Sequence, residues 1–151
     1  VFDDTGKSFV KKTMEKPTME FDLPSIDYTD LQYQVDAMLN DGSTVSSGLL
    51  ALKVKVTAPV PVLPQPGTTY TTGETAILSW EKVAGAPGYE LSINIPGRKP
   101  ASAKSESITE NFLLFTPPDP GRYTWRVRAV GRKVRGPWSD LQAFETSAGG
   151  D

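Results

Sequence analysis

The chain has 151 residues, of which 38% are hydrophobic and 23% charged, and its formal net charge is −2. A chain of this length forms one large or two small domains, and the composition is typical of globular proteins. The slightly negative net charge argues against a protein that mainly binds nucleic acid. The sequence contains no Cys and no His, which excludes disulfides, thiol catalysis, Cys/His zinc sites and the usual general base. No apolar run of about 18 residues is present, so no membrane span is predicted. Because the chain begins at Val1 rather than Met, we expect it to be a piece of a longer protein.

Short alternating runs between Gly and Pro turn signals predict an all-β chain. In the first part we expect strands over 9–14, 18–23, 31–37 and 50–56. Residues 58–66 contain four prolines, which predicts a stiff linker that runs into an edge strand. Further strands are predicted over 75–80, 89–95, 102–109, 113–115 and 123–130, with a last one that ends near 144–146.

The segment 123–130 is predicted to be the central strand because its side chains alternate with period 2. Tyr123, Trp125, Val127 and Ala129 would face the core. Arg126 and Arg128 would face outward, either as a binding strip or paired across strands with carboxylates such as Glu90. The other residues predicted for the core are Trp80, Tyr89, Phe115 and Phe144.

An internal repeat is visible when the chain is shifted by about 92 positions. The shift places Tyr33 on Trp125, Val35 on Val127 and Ser47 on Ser139. A repeat of this length has the size of one small β-sandwich, so residues 1–57 would hold only its later strands. The open face would be covered by strands that precede Val1, by another chain, or by the second domain; we favour the first.

Residues 60–146 resemble a fibronectin type III domain of the kind found in bacterial surface and envelope proteins. The resemblance is carried by 77–80 (ILSW), 83–91 (VAGAPGYEL), 120–129 (PGRYTWRVRA) and 136–139 (GPWS). It implies two tandem immunoglobulin-like sandwiches, with an incomplete first copy at 1–57, a complete domain at 60–147 and a flexible tail at 148–151. It also implies that Tyr123 forms a tyrosine corner and that Trp80 is buried.

The loop 131–136 is basic through Arg132, Lys133 and Arg135, and three interpretations stay open for it. It is a solvated hairpin, a site for an acidic polymer or protein face, or a contact for an acidic corner of the first copy that sets the inter-domain angle. The residues of that corner are Asp3, Asp4, Asp27 and Asp30. Their spacing matches no known Ca²⁺ loop, so no metal and no cofactor are predicted.

Trp138 and Tyr70 are the aromatic residues least firmly assigned to the core, and together they could stack on a sugar ring. No catalytic motif is present, so we do not expect an enzyme. The resemblance implies a non-catalytic spacer or protein-interaction module of a larger secreted, periplasmic or cell-surface bacterial protein, which binds a protein partner or an envelope component. The alternative is a carbohydrate-binding accessory domain of a secreted hydrolase.

Overall fold

The computed structural model describes residues 1–8, 10–16, 18–99 and 106–149. Within these ranges no helix has the length and apolar character needed to cross a membrane. The first four strands form two separate antiparallel pairs. β1 (Asp30–Tyr33) pairs with β4 (Leu50–Lys53), and β2 (Asp36–Met38) pairs with β3 (Thr44–Ser46).

The other described strands form two sheets that pack face to face as a β-sandwich. They are β5 (Pro61–Leu63), β6 (Thr69–Thr71), β7 (Ala76–Trp80), β8 (Gly88–Asn94), β9 (Glu106–Ile108), β10 (Phe112–Phe115), β11 (Gly121–Val130) and β12 (Gln142–Ser147). The smaller sheet has the order β10-β7-β5, and the larger has the order β6-β12-β11-β8-β9. The prediction of an all-β fold with an immunoglobulin-like sandwich is therefore confirmed.

The core lies between these two sheets and is dominated by aromatic rings. Trp80 of the smaller sheet and Trp125 of the larger sheet are both almost fully buried, and their ring centroids are 6.4 Å apart. Tyr89, Tyr123, Val127 and Phe144 are also buried, whereas Phe115 is half-buried and packs on the rings of Tyr123 and Phe144. The period-2 pattern of β11 explains this core, because every second side chain points inward.

The turn before β11 is fixed by the hydroxyl group of Tyr123. This hydroxyl donates a hydrogen bond of 2.8 Å to the carbonyl oxygen of Asp119 and accepts one of 3.2 Å from the Asp119 amide. Thr146 donates to the same carbonyl oxygen over 2.9 Å. The turn at 117–121 is thereby joined to β11 and to its neighbour β12.

Residues 1–57 differ from the sequence-based prediction in all four predicted strands. The strand predicted over 31–37 is divided into β1 and β2, with residues 34 and 35 outside both. No strand forms over 18–23, and the described part of 9–14 contains none; Phe9 lies outside the described residues. The strand predicted over 50–56 is formed only over Leu50–Lys53. Alternation alone does not make a strand, because each strand also needs a neighbour to accept its backbone hydrogen bonds.

The two-sandwich tandem stays a prediction, as do the boundaries of the two domains. Residues 102–105 of the predicted edge strand and residues 150–151 of the tail lie outside the described residues.

The pair β1–β4 nevertheless has the register of the pair β11–β12. Leu31 faces Leu52 as Tyr123 faces Phe144, which is the offset of about 92 positions found in the sequence. The amide of Ser47 donates to the carbonyl oxygen of Val35 over 2.8 Å, as the amide of Ser139 does to that of Val127. Both serine hydroxyl groups also accept a hydrogen bond from the facing valine amide, at 2.9 and 3.0 Å. The correspondence at this offset therefore extends to individual hydrogen bonds.

Candidate functional site

The site lies where residues 24–30, here called the corner, meet residues 131–136, here called the basic loop. The basic loop follows β11 and closes on itself, because the Gly131 amide donates to the carbonyl oxygen of Val134 over 2.7 Å. The Gly136 amide returns the chain to β11 with a 2.8 Å hydrogen bond to the carbonyl oxygen of Ala129. This closure directs the amides of residues 132–134 toward the corner.

The carboxylate of Asp27 accepts hydrogen bonds from three successive backbone amides of the basic loop. The distances are 2.9 Å from Arg132, 2.8 Å from Lys133 and 3.0 Å from Val134. Successive N–H groups that converge in this way form a concave site for an anion. The Ser25 hydroxyl lies 3.3 Å from the Asp27 carboxylate and helps to hold it in place. The contact between the two parts of the chain is therefore a charge-assisted one.

Two glycines allow this close approach. A Cβ atom at Gly131 would collide with the carboxylate of Asp27. Gly85 has a φ of +74° and would place a Cβ atom 2.9 Å from the carbonyl oxygen of Leu23. Without a side chain, Gly85 instead accepts a 2.9 Å hydrogen bond at its carbonyl oxygen from the amide of Ile26. The corner thus contacts two loops of the sandwich, after β7 and after β11.

An apolar contact adds to these hydrogen bonds. Ile26 is only 2% exposed, and it belongs to the same buried cluster as Trp80, Tyr89 and Ala129. Val56, from the segment after β4, is partly buried against that cluster. The end of the sandwich core is therefore closed by side chains from residues 1–57.

The hydrogen bonds from Lys133 and Arg132 hold the pKa of the Asp27 carboxyl below its ordinary range. The pKa of the Asp27 carboxyl is lower on these amides than in the unfolded chain. The contribution of this contact to folding stability is therefore complete above about pH 4, and it is lost as the pH falls through the lowered pKa. In an NMR titration we expect the amide signals of residues 132–134 to stay constant from neutral pH down to about pH 4 and to move below it. Movement of these signals near pH 5 or 6 would contradict the contact.

The other acidic residues of the predicted corner have separate partners. Asp3 is 8% exposed and accepts hydrogen bonds from the Thr5 and Lys7 amides at 3.0 and 2.8 Å. Asp30 forms an exposed ion pair of 3.7 Å with Lys53. Asp4 is exposed and lines, with Asp27 and Asp30, an open cleft of about 480 Å³ where the corner meets the basic loop, a contact here called the joint. Among the described residues no group of three or more acidic side chains could hold a metal ion.

The basic side chains of the loop do not make the contact with the corner. Arg132 and Lys133 are exposed, and only their backbone amides meet Asp27. Arg135 turns to the outer face of the larger sheet, where its guanidinium lies 2.8 Å from the Glu90 carboxylate. Arg128 binds the same carboxylate over 2.6 Å. The joint thus depends on backbone donors, and the positive charges remain available to solvent or cross-strand partners.

Tyr70 and Trp138 lie on different sides of the larger sheet. The ring of Tyr70 packs edge-on against the buried Phe144, with centroids 5.6 Å apart. Trp138 is half-buried on the outer face, where the guanidinium carbons of Arg126 and Arg128 lie 4.5 and 4.3 Å from its ring centroid. The structure does not bring the two rings together as one stacking platform.

No protein-family profile matches the chain, and no curated protein matches it. The similar solved structures include a Fn3-like protein from Clostridium thermocellum, with 19% identity over 62% of this chain and 96% of that chain, and a TM-score of 0.46. The FN1–FN3 domains of chicken CNTN1 match with 15% identity over 77% of this chain and 44% of that chain, and a TM-score of 0.49. A human fibronectin type III domain from fibronectin type III domain containing protein 3 matches with 20% identity over 64% of this chain and 91% of that chain, and a TM-score of 0.45.

These neighbours are fibronectin type III domains, as the sequence resemblance indicates. At these identities the likeness concerns the fold alone. The chain spans less than half of the CNTN1 fragment, so nothing about that protein's partners is carried over. The fold itself is established by the strand order and the core described above.

Proposed function

We propose that this chain is a non-catalytic spacer and interaction module of a larger secreted or cell-envelope bacterial protein, with a joint that holds its two parts at a fixed angle. Its partner would be a protein or a component of the envelope, and no cofactor takes part. Fibronectin type III domains generally serve as spacer or interaction modules, which agrees with this role.

The observation that carries the proposal is the seat of Asp27 on three backbone amides of the basic loop. Small interfaces between neighbouring domains usually allow relative motion. Here a carboxylate is held by several donors, and the buried Ile26 lies beside it in the sandwich core. Rotation of the corner would break these contacts together, so the joint favours one orientation.

The shared register of β1–β4 and β11–β12 supports the further proposal that residues 1–57 are the later part of a first sandwich, joined by residues 58–66 to a complete domain at 60–147. The alternative of a carbohydrate-binding accessory domain has less support. Tyr70 packs on the core side against Phe144, whereas Trp138 is covered by arginine side chains on the outer face.

The experiment measures the relative orientation of the two parts. It compares residual dipolar couplings for amides of the β1–β4 pair with those for amides of the sandwich. We expect one alignment tensor for both parts in the unmodified protein and two different tensors after Asp27→Ala, because that change removes the acceptor of three hydrogen bonds. The matched controls are Asp30→Ala, which removes an exposed carboxylate nearby, and the double change Arg132→Ala and Lys133→Ala. Both should keep one tensor.

The controls separate backbone docking from attraction between side-chain charges. If the double change uncoupled the two parts while Asp27→Ala did not, the joint would depend on the loop's positive charges and the proposal in this form would be wrong.

A further inference from the structure

Three arginines of β11 point to the outer face of the larger sheet, and two of them have a glutamate directly opposite on a neighbouring strand. Arg122 faces Glu145 on β12, and their charged atoms are 4.0 Å apart. Arg128 faces Glu90 on β8 and donates a 2.6 Å hydrogen bond to its carboxylate. Arg126, which lies between these two arginines on the same face, departs from the pattern.

The guanidinium of Arg126 is not balanced by its own sheet. On β8 it lies opposite Ser92, which is uncharged. Toward β12 the strand pairing ends at Trp125 and Gln142, and beyond that end the ring of Trp138 lies beside Arg126, with its centroid 4.5 Å from the guanidinium carbon. Arg126 is exposed, and within the described ranges it forms no ion pair. The sheet therefore has a positive charge at a position where its pattern would supply a carboxylate.

The surroundings of this charge are ordered and positive. Arg128 contacts the same Trp138 ring, with its guanidinium carbon 4.3 Å from the centroid, so the ring holds both side chains. A side chain that is already held loses less entropy when a ligand binds. Arg128 and Arg135 also bond to one and the same carboxylate oxygen of Glu90. This connected group thus contains three guanidinium groups and one carboxylate.

We propose that the outer face at Arg126 binds an extended acidic segment of a partner protein, with an Asp or Glu side chain of that segment on the Arg126 guanidinium. The inference deepens the proposed function, because it names the chemistry of the partner, and it rests on that function. A guanidinium pairs with a carboxylate through two parallel hydrogen bonds, which gives both strength and direction. The hydroxyl group of Ser92 is a further donor beside it.

The spacing and the overall charge favour an acidic peptide over a phosphate polymer. Arg126 and Arg128 are two positions apart on one strand, a repeat of about 6.6 Å that alternate side chains of an extended peptide share. A second carboxylate of the segment would therefore reach the group of Arg128 and Arg135. The chain as a whole has a net charge of −2, so a long polyanion that runs beyond this surface would be repelled, whereas a short segment meets only the local positive charge.

The test is an NMR titration of the protein with a short acetylated and amidated peptide in which glutamate alternates with threonine. We expect the Nε–H signal of Arg126 and the indole N–H signal of Trp138 to shift on binding. The same peptide with glutamine in place of glutamate should leave both signals unchanged. Arg126→Gln should weaken binding by about tenfold or more, because a charge-assisted pair is lost. Arg122→Gln changes an arginine on the same face that already has a glutamate opposite, and it should keep the affinity of the unmodified protein.

A second pair of variants supplies the missing carboxylate within the sheet. Ser92→Glu places a glutamate opposite Arg126 and should weaken peptide binding by about tenfold or more, whereas the uncharged Ser92→Gln should not. Equal binding by these two variants, unchanged binding by Arg126→Gln, or no shift with the glutamate peptide would contradict the inference. Tighter binding of a polyphosphate of equal charge would assign the surface to a phosphate polymer and would also overturn it.

Failure of this inference is distinguishable from failure of the fixed joint, because the surface at Arg126 lies wholly within the sandwich. Residual dipolar couplings are measured on the same samples. A single alignment tensor without peptide binding would remove only this inference, and peptide binding with two tensors would remove only the fixed angle.

Discussion

Replacing Trp125 with alanine is expected to lower the free energy of unfolding by about 3–5 kcal/mol. The indole is fully buried on β11, between the two sheets, and lies against the ring of Trp80. Its removal leaves a cavity at the centre of the core that the surrounding rings cannot fill without leaving their rotamers. Since small domains have only about 5–15 kcal/mol of stability, the variant should be partly unfolded at room temperature in mild denaturant. Chemical denaturation followed by far-ultraviolet circular dichroism measures the change.

The matched control is Trp138→Ala, which removes the same side chain from the outer face of the same sheet. Trp138 is half-buried and contacts the guanidinium groups of Arg126 and Arg128, so its loss should cost about 1–2 kcal/mol. Equal effects of the two changes would mean that Trp125 is not enclosed between two sheets.

The second large effect is expected for Ile26→Ala, with a loss of about 2–5 kcal/mol. Ile26 lies outside the sandwich in sequence, yet it is buried in the sandwich core cluster with Trp80 and Tyr89. Its truncation would open the end of the core and weaken the attachment of the corner at the same time. The same denaturation experiment measures it, with hydrogen exchange at the Ile26 amide as a local report, because that amide is bonded to Gly85.

Two variants separate the packing of Ile26 from general effects in its segment. Ile26→Val removes one methylene group and should cost about 0.5–1.5 kcal/mol. Val35→Ala truncates an apolar side chain that is 51% exposed in the same part of the chain, and it should change stability by less than about 0.5 kcal/mol. If Ile26→Ala were as mild as Val35→Ala, the corner would not be part of the core.

The sandwich can be predicted from sequence because residues close together in the chain already indicate its strands and turns. The alternation in 123–130, the aromatic residues at every second position and the Pro-Gly turn before them all indicate the same half-buried strand, and β11 extends over Gly121–Val130. The tandem repeat stays a prediction, although the shift that places Ser47 on Ser139 matches hydrogen bonds of the same kind in the structure.

The joint was only partly predictable. The sequence indicated an acidic corner opposite a basic loop, and Asp27 does meet that loop. It could not indicate that backbone amides make the contact, because every residue except proline carries such a donor and side-chain identity does not reveal its direction. Ile26 was overlooked, although a lone apolar residue between Ser25 and Asp27 is a signal for burial. The sequence also gives no sign of the close approach of Gly85 to Leu23, because this approach depends on the tertiary structure.

The strands predicted over 9–14 and 18–23 illustrate the opposite limit. Met19, Phe21 and Leu23 alternate as a strand would, yet the described residues there form no ladder. A strand of this length is stable only beside a partner, and the pattern does not say whether one is present.

The relative orientation of the β1–β4 pair and the sandwich in the unmodified protein can be measured directly from residual dipolar couplings at neutral pH. The seat of Asp27 on the amides of residues 132–134 predicts that a single alignment tensor fits both parts. Two tensors of clearly different magnitude or direction would mean that the corner moves freely on the sandwich, and the fixed joint would be contradicted.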